Sequence, residues 1–316
     1  MSQRQDPGFG ERFLERSKRV INKDGSFNVR RVGIDSVFRN TFQFLRNSPW
    51  WQFNLMIIIS YFVINAIFAL IYLSLGIENI HNARTGTFLT DFASAFYFSV
   101  QTFTTVGYGV LAPKGGVTSF VAAIEAFMGF MGFALATGLL YGRFSRPSAK
   151  LLFSNEAIIA PHKGRNALMF RMINRRSNIL MELEARVMIK LEELDEQGEW
   201  RRTFSRLKLE TDYIHFFPMN WTIVHVIDRE SPLFNMSEED MKAKKLEVLI
   251  LIKAYDETFA QHIHARFSYT HQELKVGAKF ERVFETEEDG EVRADIRKIH
   301  NYVEVPLDKD LKGEEL

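Results

Sequence analysis

Thr104-Thr105-Val106-Gly107-Tyr108-Gly109 is the stretch from which the rest of this 316-residue chain is read. Hydrophobic runs flank it on both sides, which argues against a glycine-rich turn in a soluble protein. A T-V-G-Y-G segment carries the backbone chemistry of a K⁺ filter, in which carbonyl oxygens point inward and replace the water shell of the ion. Glycine supplies backbone angles that side-chain-bearing residues resist. Thr105, Val106, Gly107 and Tyr108 are therefore expected to ligate K⁺ through their carbonyl oxygens, with the Thr105 hydroxyl innermost and Gly109 closing the motif. Carbonyl dipoles stabilise a desolvated cation only by surrounding it, and one chain supplies one segment. Several identical chains must then meet on an axis, and a homotetramer is expected.

Outward from the filter, residues 53–75 and 117–142 are each long and apolar enough to cross a bilayer, the first interrupted only by Asn54 and Asn65. Between them, Thr90-Asp91 precede an aromatic-rich segment too short to span. It is read as a pore helix, so that pore helix and filter together occupy 90–109. Asp91 suits the helix N-terminus, and the negative dipole end would face the ion path. Arg and Lys are abundant before the first span and resume at Arg143, Arg146 and Lys150, so both termini are expected in the cytoplasm. Ile34, Val37, Phe38, Phe42 and Leu45 share one helical face just ahead of Pro49-Trp50-Trp51, which predicts an interfacial helix over 34–48.

The second span carries the residues expected to gate. Phe130, Phe133, Thr137 and Tyr141 fall at spacings of three and four, so their rings either narrow a water-filled pore or face lipid and the first span. Gly129 and Gly138 are hinge candidates, although Gly129, Gly132, Gly138 and Gly142 serve close packing equally well. Glu125 is the lone carboxylate of the span and is read as hydrogen-bonding behind the filter, together with Gln101 and Thr104.

Beyond Pro147 the composition is that of a soluble domain. Met181, Leu183, Ala185, Val187, Ile189 and Leu191 alternate with mostly charged residues, the period of a strand with one buried face. Further strands are expected at 168–173, 203–209, 246–254, 262–269 and 279–284. Asp289-Gly290 marks a hairpin turn, and Ser237 with Asp240 marks a short helix start. Many short strands with few helices predict a β-sandwich. The domain plan is thus a cytoplasmic segment 1–33, a pore domain 34–147, a β domain 148–305 and a polar tail 306–316.

A formal net charge of +1 excludes a strongly basic nucleic-acid binder, and the absence of cysteine excludes disulfides, thiol catalysis and Cys-based zinc sites. Met1 to Gly10 lack the apolar core of a cleavable signal peptide. His262 and His264 would share a strand face, but no third metal ligand lies beside them.

The chain resembles the inward-rectifier potassium channels, and within them the bacterial branch, from about Arg19 to Tyr302. The likeness is carried by the filter, by Lys23-Asp24-Gly25-Ser26-Phe27-Asn28-Val29 and Arg143-Phe144-Ser145-Arg146-Pro147. It continues in Phe170-Arg171-Met172-Ile173-Asn174-Arg175-Arg176, His225-Val226-Ile227-Asp228-Arg229-Glu230-Ser231-Pro232-Leu233 and Ala265-Arg266-Phe267-Ser268-Tyr269. The resemblance implies a tetramer with an interfacial slide helix, two spans per chain, an immunoglobulin-like cytoplasmic β-sandwich extending the pore, and a place in the bacterial inner membrane. It puts Tyr141 at the bundle-crossing constriction, Gly277 in the loop at the cytoplasmic pore apex, and anionic phospholipid near Arg143, Arg146 and Lys150. For those three residues plain positive-inside topology is an equal reading. Two positions depart from the family. Phe133 stands where strong rectifiers carry an acidic residue, which implies weak block from inside. Gln101 stands where many members have a glutamate, which argues against bracing of the filter by an ion pair.

The expected function is passive, K⁺-selective conduction, with no cofactor, no enzymatic activity and no nucleic-acid partner. The alternatives are a non-selective cation channel and a membrane-tethered sensor module with an inactive pore.

Overall fold

The computed structural model describes residues 8, 19–29, 44–45, 48–145, 150–176, 178–194, 200–217 and 220–308. The expected interfacial helix at 34–48 lies outside these except for Phe44, Leu45 and Ser48, as do Arg146 and the chain beyond residue 308. The chain divides into two compact units, one of Val32–Arg146 and one joining Met1–Arg31 to Pro147–Leu316.

In the helical unit, α1 (Trp50–Leu75) starts directly after Pro49, three residues earlier than the apolar run alone suggests. Proline ahead of the first helical residue has no N–H to leave unsatisfied and blocks extension backwards. A two-residue strand β1 (Ile80–His81) follows, then α2 (Phe88–Phe103), β2 (Ala112–Pro113) and α3 (Gly116–Phe144). The cap of α2 is Thr87, whose hydroxyl accepts from the Thr90 N–H, so this helix begins before Thr90. Asp91 sits in its first turn and accepts from the Gly86 N–H at 3.0 Å. Phe68, Ala69 and Tyr72 of α1, Ala95 and Phe98 of α2 and Ala122 of α3 form the small core where the three helices meet.

The second unit is a β-sandwich. Its strands are β3 (Leu151–Phe153), β4 (Ala157–His162), β5 (Arg165–Asn174), β6 (Leu180–Leu194), β7 (Trp200–Arg206), β8 (Tyr213–Phe216) and β9 (Asn220–Ile227). After the short α4 (Glu238–Ala243), closed by a Ser237–Asp240 capping box, come β10 (Glu247–Asp256), β11 (Gln261–Thr270), β12 (Leu274–Val276) and β13 (Ala278–Phe280). The chain finishes with β14 (Phe284–Thr286), β15 (Val292–Ala294) and β16 (Tyr302–Glu304). One sheet has the order β11-β10-β6-β7 with β8 on β6, and the other β12-β4-β5-β3 with β9 on β5. Between them lies the core, in which Phe153 stacks on Phe267 at 4.6 Å and Phe170 meets Tyr269 at 5.7 Å.

The expected strands fall on β5, β6, β7, β10 and β11, with alternation marking β6, whereas β4 and β9 correspond to none of them. Ala157, Ile158, Ile159 and Ala160 are all buried, so β4 is an apolar run without alternation. The inward set of β9 is Trp221, Ile223, His225 and Ile227, with a histidine breaking the apolar period. The single strand expected over 279–284 is two, because β13 pairs with β16 and β14 with β15 across the turn at Asp289-Gly290.

Residues 19–29, expected to belong to a separate segment, pack on the sandwich. The buried Glu247 carboxylate accepts from the Val20 N–H at 2.9 Å and from the Ser268 hydroxyl at 2.8 Å, while Arg19 and Lys23 both pair with Glu273. Interactions across more than two hundred residues of chain hold this piece, and no local pattern announces them.

Candidate ion-conduction site

Helix α2 delivers the T-V-G-Y-G segment. Its last turn is closed by the Thr104 N–H on the Val100 carbonyl at 3.1 Å and the Thr105 N–H on the Thr102 carbonyl at 3.0 Å. The chain then leaves in a backbone of alternating hand: φ is 59° at Thr105, 56° at Gly107 and 81° at Gly109, and not positive at Val106 or Tyr108. Alternation between right- and left-handed residues turns consecutive peptide groups to the same side. A β-branched residue with positive φ is an outlier that costs on the order of 1–3 kcal/mol, and Thr105 is such a residue. Strain of this kind persists only where surrounding structure over-determines it.

That structure begins with Gln101, which is buried and acts twice. Its backbone carbonyl accepts the Gly107 N–H at 3.2 Å, and its side-chain amide donates to the Leu111 carbonyl at 2.8 Å. The descending chain is also tied by the Asn82 side chain to the Val110 carbonyl at 2.9 Å, by pairing of β1 with β2, and by the Lys114 N–H on the Asn79 carbonyl at 2.8 Å. Bracing here is by neutral hydrogen bonds. No local pattern in the sequence announces these ties from Asn79, Asn82 and the β1–β2 ribbon. Thr104 does something other than reach the filter: its hydroxyl turns back to the Val100 carbonyl at 2.8 Å.

Glu125 is fully buried, and its carboxylate contacts the Tyr72 hydroxyl at 2.5 Å and the Ser99 hydroxyl; Ser99 also lies 3.0 Å from the Asn65 amide oxygen. Tyr72 and Asn65 come from α1, Ser99 from α2 and Glu125 from α3, so one polar cluster joins the three helices behind the filter. Asn65, which interrupts an otherwise apolar span, is explained by it.

On α3 the buried stripe is Thr118, Ala122, Glu125 and Gly129. Phe133 and Tyr141 lie off this stripe and are each 74% exposed in the single chain. Gly129, a hinge candidate in the sequence, has a packing reason instead: a Cβ there would fall on the Phe103 carbonyl oxygen, and α3 runs unbroken past it. Among the described residues of the single chain, a Cβ on Gly138 would meet nothing within 4 Å. An apolar cavity of about 820 Å³ opens between α1 and α3 below the filter, lined among others by Tyr61, Phe103, Thr105, Phe130 and Phe133.

The three expected lipid contacts differ. Arg143 donates to the Leu45 carbonyl and, at 2.6 Å, to the Ser48 carbonyl. Its guanidinium carbon lies 4.8 Å from the Trp50 ring centre and 4.5 Å from that of Phe53. It is therefore engaged by its own chain just ahead of α1. Lys150 is exposed, and Arg146 lies outside the described residues.

Gly277 is a one-residue corner rather than a free loop. With φ at 73° it joins β12, which runs parallel to β4, to β13, which pairs with β16. Its N–H donates to the Ile159 carbonyl and its carbonyl accepts from the Val305 N–H, both at 2.9 Å. Just beyond, Arg171 stacks on Phe280 at 4.5 Å and donates to the Glu281 carbonyl. Burial lowers the Arg171 pKa to about 10, which leaves the side chain cationic at neutral pH.

Two family models match the chain in tandem: ion channel over residues 56–146 and inward rectifier potassium channel C-terminal domain over residues 151–313. The inward rectifier potassium channel Kirbac3.1 of Paramagnetospirillum magnetotacticum is 37% identical over 287 residues, covering 90% of this chain and 96% of that one. The ATP-sensitive inward rectifier potassium channel 12 of Gallus gallus is 27% identical over 91% of this chain and 72% of its own length. The G protein-activated inward rectifier potassium channel 2 of Mesocricetus auratus is 26% identical over 93% and 74%. With a channel match on the helical unit, a rectifier-domain match on the sandwich and a relative this similar end to end, the chain belongs to the inward-rectifier potassium channel family, integral membrane ion channels and not enzymes.

Proposed function

We propose that the chain assembles as a homotetramer whose T-V-G-Y-G segments form a K⁺-selective filter, and that it conducts K⁺ passively. The observation that carries this reading is the alternating backbone hand at Thr105, Gly107 and Gly109, held by both hydrogen bonds of Gln101. Closure lies along α3 at Phe133 and Tyr141, with bending at Gly138, and at the Gly277 corner. The absence of a carboxylate at Phe133 goes with weak block by internal cations. Anionic phospholipid modulates the pore through Arg146 and Lys150, just inside the membrane, while Arg143 holds the interfacial elbow. Both termini are cytoplasmic, and the membrane is the bacterial inner membrane.

The test is cation uptake into liposomes holding the purified protein, comparing K⁺, Rb⁺ and Na⁺, with Ba²⁺ as blocker and anionic lipid varied. Uptake of K⁺ and Rb⁺ but not Na⁺, blocked by Ba²⁺, is the expected result, and its lipid dependence gives the sign of regulation. Comparable Na⁺ uptake would replace this reading with a non-selective pore. If no ion enters in any lipid and Tyr141→Ala also stays silent, the pore is inactive and the sandwich is the working part.

A further inference from the structure

The last described stretch of the chain is a strap laid over the Gly277 corner. Strand β16 pairs with β13 from Ala278↔Glu304 to Phe280↔Tyr302, the Glu281 N–H donates to the Asn301 carbonyl at 3.1 Å, and the Val305 N–H donates to the carbonyl of Gly277 itself. Tyr302 packs on the small cluster of Ile158, Ala160, Ala278 and Phe280, and Leu307 packs on the main core. A Cβ at Gly277 would lie 3.0 Å from the Val305 carbonyl oxygen, so corner and strap are in direct contact.

One side chain holds the far end of this strap. Asn166, at the start of β5 and 3% exposed, donates through its amide nitrogen to the Asp308 carbonyl at 3.0 Å and accepts the Asp308 N–H through its amide oxygen at 3.1 Å. Both ends of the amide are thus spent on one backbone residue, and only an asparagine-like group can do this. A carboxylate lacks the donor, and an apolar residue lacks both. Among the described residues, the strap past β16 is tied by the Val305 N–H on Gly277, by Leu307 on the core and by this pair of bonds, so its stiffness, and through Val305 that of the corner, leans on Asn166.

We propose that Asn166 is a positioning residue for conduction: by locking Asp308 it holds the strap across Gly277 and keeps the corner in one position. The proposal rests on the reading of Gly277 as part of the conduction path. The full-length protein in liposomes is compared with Asn166→Ala, with Asn166→Asp and with a chain ending at Leu307, which removes the partner instead of the clamp. Amide hydrogen exchange over residues 276–280 reports the lock, and Rb⁺ uptake reports conduction. Loss of the paired bonds should speed exchange at 276–280 about tenfold while leaving β6 and β10 protected. Rb⁺ uptake should change several-fold in the same direction for clamp and truncation, and combining them should add nothing. Should Asn166→Ala fail to fold, Asn166→Asp and the truncated chain carry the test. Unchanged exchange at 276–280 in the folded variants would overturn the lock. Faster exchange with unchanged uptake would show that the lock exists but that Gly277 lies off the path, overturning the role in conduction.

Discussion

Thr105 adopts a positive φ that a glycine would take without strain, and Gln101 ties down the chain just after it, at Gly107 and Leu111. Replacing Gln101 by Ala leaves the Leu111 carbonyl without its donor, at a cost of about 1–3 kcal/mol. The expected outcome is a folded protein with a looser filter, seen as a rise in Na⁺ relative to Rb⁺ uptake. His225 is a second buried residue with a measurable signature. Its Nδ1 donates to the Lys208 carbonyl and its Nε2 lies against the Ser231 hydroxyl, both at 2.7 Å, and a neutral imidazole satisfies this pair by accepting from that hydroxyl. Burial lowers its pKa below the ordinary 6.5, opposed by the Lys208 carbonyl and Asp228. Since the unfolded chain then takes up the proton first, stability is intact above pH 6.5 and falls as pH drops from there towards the folded pKa. Thermal unfolding followed against pH should show that fall, and His225→Gln should flatten it.

Helix α3 illustrates how one element carries unlike glycines. Gly129→Ala pushes against the Phe103 carbonyl at the end of α2, and overpacking of this kind costs about 1–3 kcal/mol; the T-V-G-Y-G segment begins two residues farther on. A lower unfolding temperature together with lost Rb⁺ uptake is expected. Gly138→Ala meets no neighbour and should leave the unfolding temperature unchanged or slightly raised, while reducing uptake if α3 bends there to open. Arg143 tests the join between α3 and the segment ahead of α1. Lysine keeps the charge but cannot reach two carbonyls in a fixed fork, and hydrogen bonds from a charged group are worth about 1.5–3 kcal/mol. Arg143→Lys should therefore change basal uptake while preserving its dependence on anionic lipid; a lost lipid response would instead make Arg143 a headgroup contact.

At the scale of the molecule, a single chain leaves Val106, Tyr108, Phe130, Phe133 and Tyr141 exposed, a surface unusual for an isolated protein and suited to other copies, lipid and ions. Native mass measurement in detergent should give a homotetramer of the 36.7 kDa chain. A monomer that still transports K⁺ would contradict the need for a carbonyl ring.

Much of this was legible in the residues because it rests on local rules. T-V-G-Y-G is a motif of consecutive residues, two long apolar runs name the spans, and alternation from Met181 to Leu191 names β6. The Ser237–Asp240 cap and the Asp289-Gly290 turn are likewise contained in a few consecutive residues. What failed to show were features whose cause is a distant partner. Asn65 looks like a blemish in an apolar helix until Ser99 stands beside it, the hydrogen bonding expected of Glu125 has no named partners until Tyr72 and Ser99 are found, and Gly129 reads as hinge or close contact alike until Phe103 is set against it. Arg143 reads as a membrane-facing cation until the Leu45 and Ser48 carbonyls are found at its fork. Sequence alone determined the family and the order of spans, motif and β domain, since a motif and a hydrophobic length are properties of consecutive residues. Only the tertiary structure decided what holds the filter, the elbow and the Gly277 corner in place, because hydrogen bonds between residues far apart in the chain leave no periodic trace.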